Sequence, residues 1–344
     1  MPEQTCAVIL AGGEGKRMKS NHPKVLASVL FKPMLQWVMD AAEGAGVKEL
    51  CVVTGHKHEQ VEAYLQAAQK PGGANLHHVL QAEQRGTGHA VMMAEPFLRA
   101  HNGGNTLVLN GDAPFVSAEV LKTALAAHVG QGNAVTVISA ELDDPSGYGR
   151  IVRDPATGLV RAIVEQKDAD EATLAVREIN SGAYWFRTDD LLSILGCIRN
   201  DNAQGEYYLT DAVRLLIEQN KNAGAYIASD PAAVMGANDC VQLNSLNEIA
   251  RERVLHAQML AGVEIPCTDG VLIGPDVTIG RSTRILPNTI LRGNTAVGAD
   301  CSIGPSVVLT DCTVGDGASL CFASCERTNI SSSQAVAPFT VIGT

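Results

Sequence analysis

Leu10-Ala11-Gly12-Gly13-Glu14-Gly15-Lys16-Arg17-Met18 gathers three glycines and two adjacent basic side chains directly after the apolar run Cys6 to Leu10. Glycine lets backbone amides approach an anion closely, so the stretch suits phosphate. It fits neither common nucleotide fingerprint. The dinucleotide pattern needs a third glycine where Met18 stands, and a P-loop needs glycine where Leu10 stands and Ser or Thr where Arg17 stands. Arg17 offers a planar fork to phosphate oxygens, and Lys24, in Pro23-Lys24, a mobile point charge. Asp112 follows the run Thr106 to Asn110, so its carboxylate falls at the end of a strand, where it can share Mg2+ with phosphate oxygens. The histidines offer less. His56, His58, His77 and His78 have no cysteine or carboxylate cluster at metal-site spacing and read as surface or loop residues.

Short β-branched runs alternate with amphipathic stretches from Thr5 to about Asp230. Cys6–Leu10, Leu50–Val53, Val79–Leu80, Thr106–Leu109 and Val135–Ile138 read as buried strands; 34–45, 59–68, 89–98 and 118–128 read as helices. The alternation implies an α/β, Rossmann-like domain with a mixed, mostly parallel sheet and ligands at the carboxyl ends of its strands. Leu243, Leu246, Ile249, Val254 and Ala257 mark one face of a connecting helix. Beyond Gly262, Ile273, Ile279, Ile285, Leu291, Val297, Ile303 and Leu309 recur every six residues. Neither a helix nor a hairpin strand keeps that period, but a prism-shaped β-helix turns a corner every six residues. The register slips at Val314 and Leu320 and resumes at Ile330, Val336 and Ile342, giving roughly four coils. Small corner residues would account for the late cysteines. The expected divisions are 1–240, a connector 241–262 and a short left-handed parallel β-helix 263–344.

Composition narrows the function. With 344 residues, 46% hydrophobic and 18% charged, the chain has room for two or three packed domains and is not fibrous or disordered. A formal charge of -11 argues against a nucleic-acid surface. The apolar stretch Cys6 to Ala11 is neither a signal peptide nor a membrane span, so a cytoplasmic protein with no membrane partner is expected. Nine cysteines without a C-x-x-C spacing read as reduced thiols.

The loop, with Pro23-Lys24 after it, resembles the L-x-x-G-x-G-T-R-M signature of sugar-1-phosphate nucleotidyltransferases. Gln81-Ala82-Glu83-Gln84-Arg85-Gly86-Thr87-Gly88-His89-Ala90, Gly111-Asp112, Gly147-Tyr148-Gly149-Arg150-Ile151, Val164-Glu165-Gln166-Lys167-Asp168, Glu178-Ile179-Asn180-Ser181-Gly182 and Asn202 to Asp211 look like the ordered motifs of the bacterial N-acetylglucosamine-1-phosphate uridyltransferases. The hexapeptide tail looks like that family's left-handed β-helix in a shortened form. The resemblance implies uridylyl transfer from UTP to N-acetylglucosamine 1-phosphate with release of pyrophosphate. It assigns Arg17 and Lys24 to the triphosphate and transition state, and Asp112 and Asn238 to Mg2+. Leu10, Ala11, Gly12, Gly13, Gln81, Gly86 and Thr87 fall to the nucleotide, and Gly149, Glu165 and Asn180 to the sugar; His89 would support the uridine pocket.

Three departures stand out. The family's usual A-A-G-K-G-T-R loop here has Gly12, Glu14 and Lys16, and Asn110 replaces an aromatic before Gly-Asp. Lys16 is therefore expected to take over some phosphate neutralisation. The last histidine, His256, precedes the β-helix, so the histidine base of the family's acetyl transfer has no counterpart and acetyltransferase activity is not expected. Flat β-helix faces favour a homotrimer. Another hexose or N-acetylhexosamine phosphate is the alternative substrate, and a non-catalytic assembly subunit the alternative of another class.

Overall fold

A computed structural model describes residues 4–343. The chain forms two compact units: residues up to Ala27 with Pro33–Cys240, and Ser28–Lys32 with the chain from Val241 onward.

The first unit is built on a mixed sheet with the strand order Ala223–Ile227, Val135–Glu141, Glu178–Arg187, Asn105–Asn110, Thr5–Leu10, Glu49–Thr54, Asn75–Leu80. Neighbours in this order run parallel except Glu178–Arg187, which is antiparallel to both of its neighbours here and to the strand Arg150–Arg153, itself paired with Val160–Val164. Helices cover both faces, which is why the central strands are apolar throughout: Cys6 and Val8 enter one core, Ala7 and Ile9 the other. Trp185 is wholly buried and donates its indole N–H to Leu121 O at 3.0 Å.

Two expectations need correction. Val79–Leu80 belong to an edge strand rather than a buried one: Asn75–Leu80 pairs on one side only and Leu80 is exposed, while His77 and His78 are surface residues, as expected, carried on this strand. The expected helix 89–98 is two helices, Thr87–Met93 and Glu95–Ala100, because Pro96 has no N–H to continue the ladder and instead starts a new helix.

In the second unit the helix Cys240–Leu260 buries Leu246, Ala250 and Leu255. Ala257, assigned above to the inner face, is exposed, since the four-and-five spacing of the buried residues turns the face away from it. The β-helix follows as three parallel sheets of five, four and four short strands. Its side-chain columns are Ile273-Leu291-Leu309-Cys325-Ile342, Ile279-Val297-Val314-Ile330 and Ile285-Ile303-Leu320-Val336. The interval thus shortens at Val314, Cys325 and Ile330, not at Leu320, because a thiol stands in an aliphatic column where the hydrophobic pattern hides it. Asn288, Asp300, Ser306 and Asp311 take positive φ at corners, as short polar side chains tolerate. Cys301 and Cys312 directly follow the corner residues Asp300 and Asp311, as expected of small residues, and are buried, whereas Cys325 is not a corner residue but stands within a strand in an aliphatic column, where a thiol behaves as a small apolar group.

Candidate active site

A cavity of about 510 Å3 opens at the carboxyl ends of the central strands, lined by Leu10, Gly12, Gly13, Glu14, Lys16, Lys24, Val25, Gln81, Gln84, Gly86, Thr87, Ala90, Asn110, Asp112 and Glu206. Its floor comes from three strand ends tied together: Gly111 N donates to Leu10 O at 2.9 Å, and Ala11 N to Val53 O at 2.9 Å. The glycine loop then leaves the sheet with Gly12 against Gly55. A Cβ on Gly55 would lie 2.6 Å from Gly12 O, and one on Gly12 would lie 2.9 Å from Gln81 Oε1, so the backbone approach requires both glycines.

Gln81 is buried and its amide is committed. Nε2 donates to Gly86 O at 3.1 Å and to His89 Nδ1 at 3.1 Å, so the His89 proton is on Nε2. The acceptor Oε1 remains, facing the Gly12 backbone. Gly86 has φ 106° and packs so tightly on the 206–208 turn that a Cβ would lie 2.6 Å from Tyr207 O. The segments are laced further by Gly88 N to Tyr207 O at 2.7 Å, Tyr207 N to Arg85 O at 2.8 Å and Leu209 N to Thr87 Oγ1 at 3.0 Å. Thr87 Oγ1 thus ties the fold as an acceptor.

Lys24 opens a short 3₁₀ turn, Lys24–Leu26, and its ammonium forms an ion pair with Asp112 and donates to Asn238 Oδ1 at 3.0 Å. Asn238 therefore reaches the cavity through Lys24 although it does not line it. Glu14 and Lys16 pair with each other at 2.9 Å, both well exposed, so the acidic residue in the loop is locally neutralised. Arg17 lies on the turn Lys16–Met18, exposed, outside the cavity lining and paired with no carboxylate among the described residues.

The three residues assigned to the sugar are together. Asn180 N donates to Gly149 O at 2.9 Å, and a Cβ on Gly149 would touch Glu165 at 3.5 Å. Asn180 sits at a register shift in the antiparallel strand, with Oδ1 accepting from Gly182 N at 2.9 Å. Burial raises the Glu165 carboxyl above its ordinary value, with nearby Asp168, Asp211 and Glu206 adding to the effect and Thr210 opposing it. Asn110 joins this cluster to the cavity: its Nδ2 fills the space a Gly182 side chain would need, 2.0 Å from the ideal Cβ. Arg150, not singled out by the sequence, is buried and donates to Tyr148 O and, at 3.1 Å, to Gln166 Oε1, pinning the turn that presents Gly149. Only its place in a glycine-tyrosine motif could have signalled it. Gly55 left no signal at all, because its partner is remote in sequence.

Residues 6–251 match the nucleotidyl transferase family, and residues 276–311 the bacterial transferase hexapeptide (six repeats). A solved UDP-glucose pyrophosphorylase complexed with UDP-glucose shares the fold, with a TM-score of 0.61 at 19% identity over 72% of this chain and 99% of that chain. The family model thus places the chain among the nucleotidyl transferases, and the solved structure shows the shared fold. Among curated relatives, the bifunctional protein GlmU of Caldanaerobacter subterraneus subsp. tengcongensis is 43% identical over 98% of this chain and 71% of its own length. That of Thermoanaerobacter pseudethanolicus is 42% identical over the same shares. The chain belongs to the GlmU family.

Proposed function

We infer that this chain transfers the uridylyl group of UTP to N-acetylglucosamine 1-phosphate, releasing pyrophosphate, and that the cavity beside the glycine loop is where it does so. The observation that carries the reading is the convergence of Lys24, Asp112 and Asn238 on one point at the cavity edge. A sugar phosphate with a second pKa near 6 is already a dianion at neutral pH, so it attacks the α-phosphorus without a general base. The barrier is the meeting of two anions on a protein of charge -11. Lys24 neutralises charge at the phosphates, and Arg17, exposed and paired with no carboxylate among the described residues, closes its guanidinium fork over the triphosphate. Amides of Gly12 and Gly13 supply further donors. Gln81, its donors occupied, accepts from the imide N–H of uracil; cytosine offers an acceptor there instead. Gly149, Glu165 and Asn180 hold the hydroxyls and the acetamido group.

Asp112 and Asn238 suit Mg2+: a carboxylate and an amide oxygen, both hard donors, are held by one ammonium, and magnesium takes few protein ligands beside phosphates and water. Bound there, the ion would screen phosphate charge and orient the triphosphate. Residues 263–344 contain no histidine, and we assign them no acetyl-transfer base. Their flat parallel sheets support a homotrimer, which sedimentation of the purified chain would test; a monomer at micromolar concentration contradicts it. Nine free thiols support residence in the cytoplasm, and no helix among the described residues is long and apolar enough to cross a membrane. A panel of nucleoside triphosphates against sugar 1-phosphates, scored by pyrophosphate release, tests the substrate assignment. UTP with N-acetylglucosamine 1-phosphate should lead, and a preference for an unsubstituted hexose phosphate would replace it with the alternative substrate.

A further inference from the structure

The lysine assigned to phosphate is engaged elsewhere in this structure. Its ammonium touches Asp112 Oδ2 and donates to Asn238 Oδ1 at 3.0 Å, so one side chain bridges both oxygens assigned above to the cation. An ammonium and a divalent cation seek the same donors: a full negative charge and a carbonyl-type oxygen. They cannot hold this pair together, because the ion would occupy the volume of the ammonium and repel its charge. The bridge is also sheltered, with Lys24 and Asp112 side chains only 13% and 22% exposed, so water weakens it less than it weakens a surface pair.

Lys16, the other lysine lining the cavity, is not an equivalent partner for Asp112, since it pairs with Glu14 at 2.9 Å. Lys24 has a four-carbon stem that can carry its charge to a second partner. We propose that Lys24 is the stand-in for the divalent cation in the free protein: it keeps Asp112 and Asn238 together, and its release onto an incoming phosphate opens the site to the metal. Metal entry and the arrival of Lys24 at the phosphates are then one exchange rather than two separate binding events. A triphosphate that brings its own cation drives the exchange, whereas cation alone must compete with the ammonium. The inference rests on the reading of Asp112 and Asn238 as cation ligands.

The test is Mn2+ alone, without nucleotide, titrated into the full chain and followed by the electron paramagnetic resonance of the unbound ion. Lys24→Met should bind one Mn2+ about tenfold more tightly than the natural sequence, while Lys16→Met, which removes a cation from the same cavity, should change affinity less than about threefold. Adding Asp112→Asn to Lys24→Met should abolish the gain. In the unsubstituted chain, the side-chain nitrogen signal of one labelled lysine should move when Mg2+ and UTP are added together, a readout independent of how the variants fold. Equal affinities for the natural chain and Lys24→Met, with binding still lost in Asp112→Asn, would overturn the exchange and keep the cation site. A gain as large in Lys16→Met would overturn it as general charge repulsion. Tight Mn2+ binding that survives Asp112→Asn would overturn the cation assignment and the exchange with it.

Discussion

Replacing Gln81 with alanine separates the two jobs the structure gives this side chain. Its amide donates to Gly86 O and His89 Nδ1, and both acceptors are left without that donor in Gln81→Ala. A buried polar group left unpaired costs about 1–3 kcal/mol, so the variant should lose about 2 kcal/mol or more of stability. For a unit of this size that lowers Tm by roughly 4–8 °C. The remaining oxygen, Oε1, is the acceptor we assign to the uracil imide, and losing one such contact is worth about 1–3 kcal/mol, or roughly 5- to 150-fold in kcat/KM for UTP. The discriminating quantity is the ratio of UTP to CTP. The natural chain should favour UTP strongly, and the variant should lose most of that preference while KM for the sugar phosphate stays near its original value. Pyrophosphate release measured with each nucleotide below the melting transition gives both numbers. A variant as selective as the natural chain, whatever its stability, would refute the assignment of Oε1 to the base.

Other predictions follow from neighbouring geometry. Gly86→Ala must accommodate a Cβ 2.6 Å from Tyr207 O at φ 106°, so it should lower stability by about 2 kcal/mol or more and weaken UTP binding; calorimetry on the purified variant checks this. Arg150→Met releases the turn held through Tyr148 O and Gln166, and KM for the sugar phosphate should rise about tenfold with little change for UTP; equal effects on both substrates would contradict a role confined to the sugar side. His128 is buried beside Thr136, and burial first, then Arg187, lowers its pKa to about 4, with Asp190 opposing. Because the folded value lies below the unfolded one near 6.5, protons favour the unfolded chain as pH falls from about 6.5 to about 4, by up to ~3 kcal/mol. Denaturant titrations across that range should show His128→Gln losing less stability than the natural chain; parallel curves would refute the assignment.

Much of the architecture could be read from local pattern because central strands buried on both faces leave continuous apolar runs, and a six-residue aliphatic period matches the turn of a β-helix but neither the helical nor the hairpin repeat. The failures share a cause: they depend on what lies across from a residue. Val79 and Leu80 look like core strand until the sheet ends beside them. Cys325 occupies an aliphatic column only because the coil beneath puts Leu309 there. In the site, Gly86 and Thr87 belong to a recognisable motif, yet Thr87 Oγ1 accepts from Leu209 N, more than a hundred residues away in sequence. Likewise Lys24 was legible as a basic residue near the loop, whereas its contact with both Asp112 and Asn238 needed the folded chain.

We propose that this acidic chain joins two anions by direct displacement in the cavity beside Lys24. Phosphorus NMR of the purified chain with UTP, N-acetylglucosamine 1-phosphate and Mg2+ tests it most directly. One pyrophosphate should appear for each UDP-sugar formed, with turnover falling at least about 100-fold in Lys24→Ala. Unchanged UTP and sugar phosphate after prolonged incubation would contradict it.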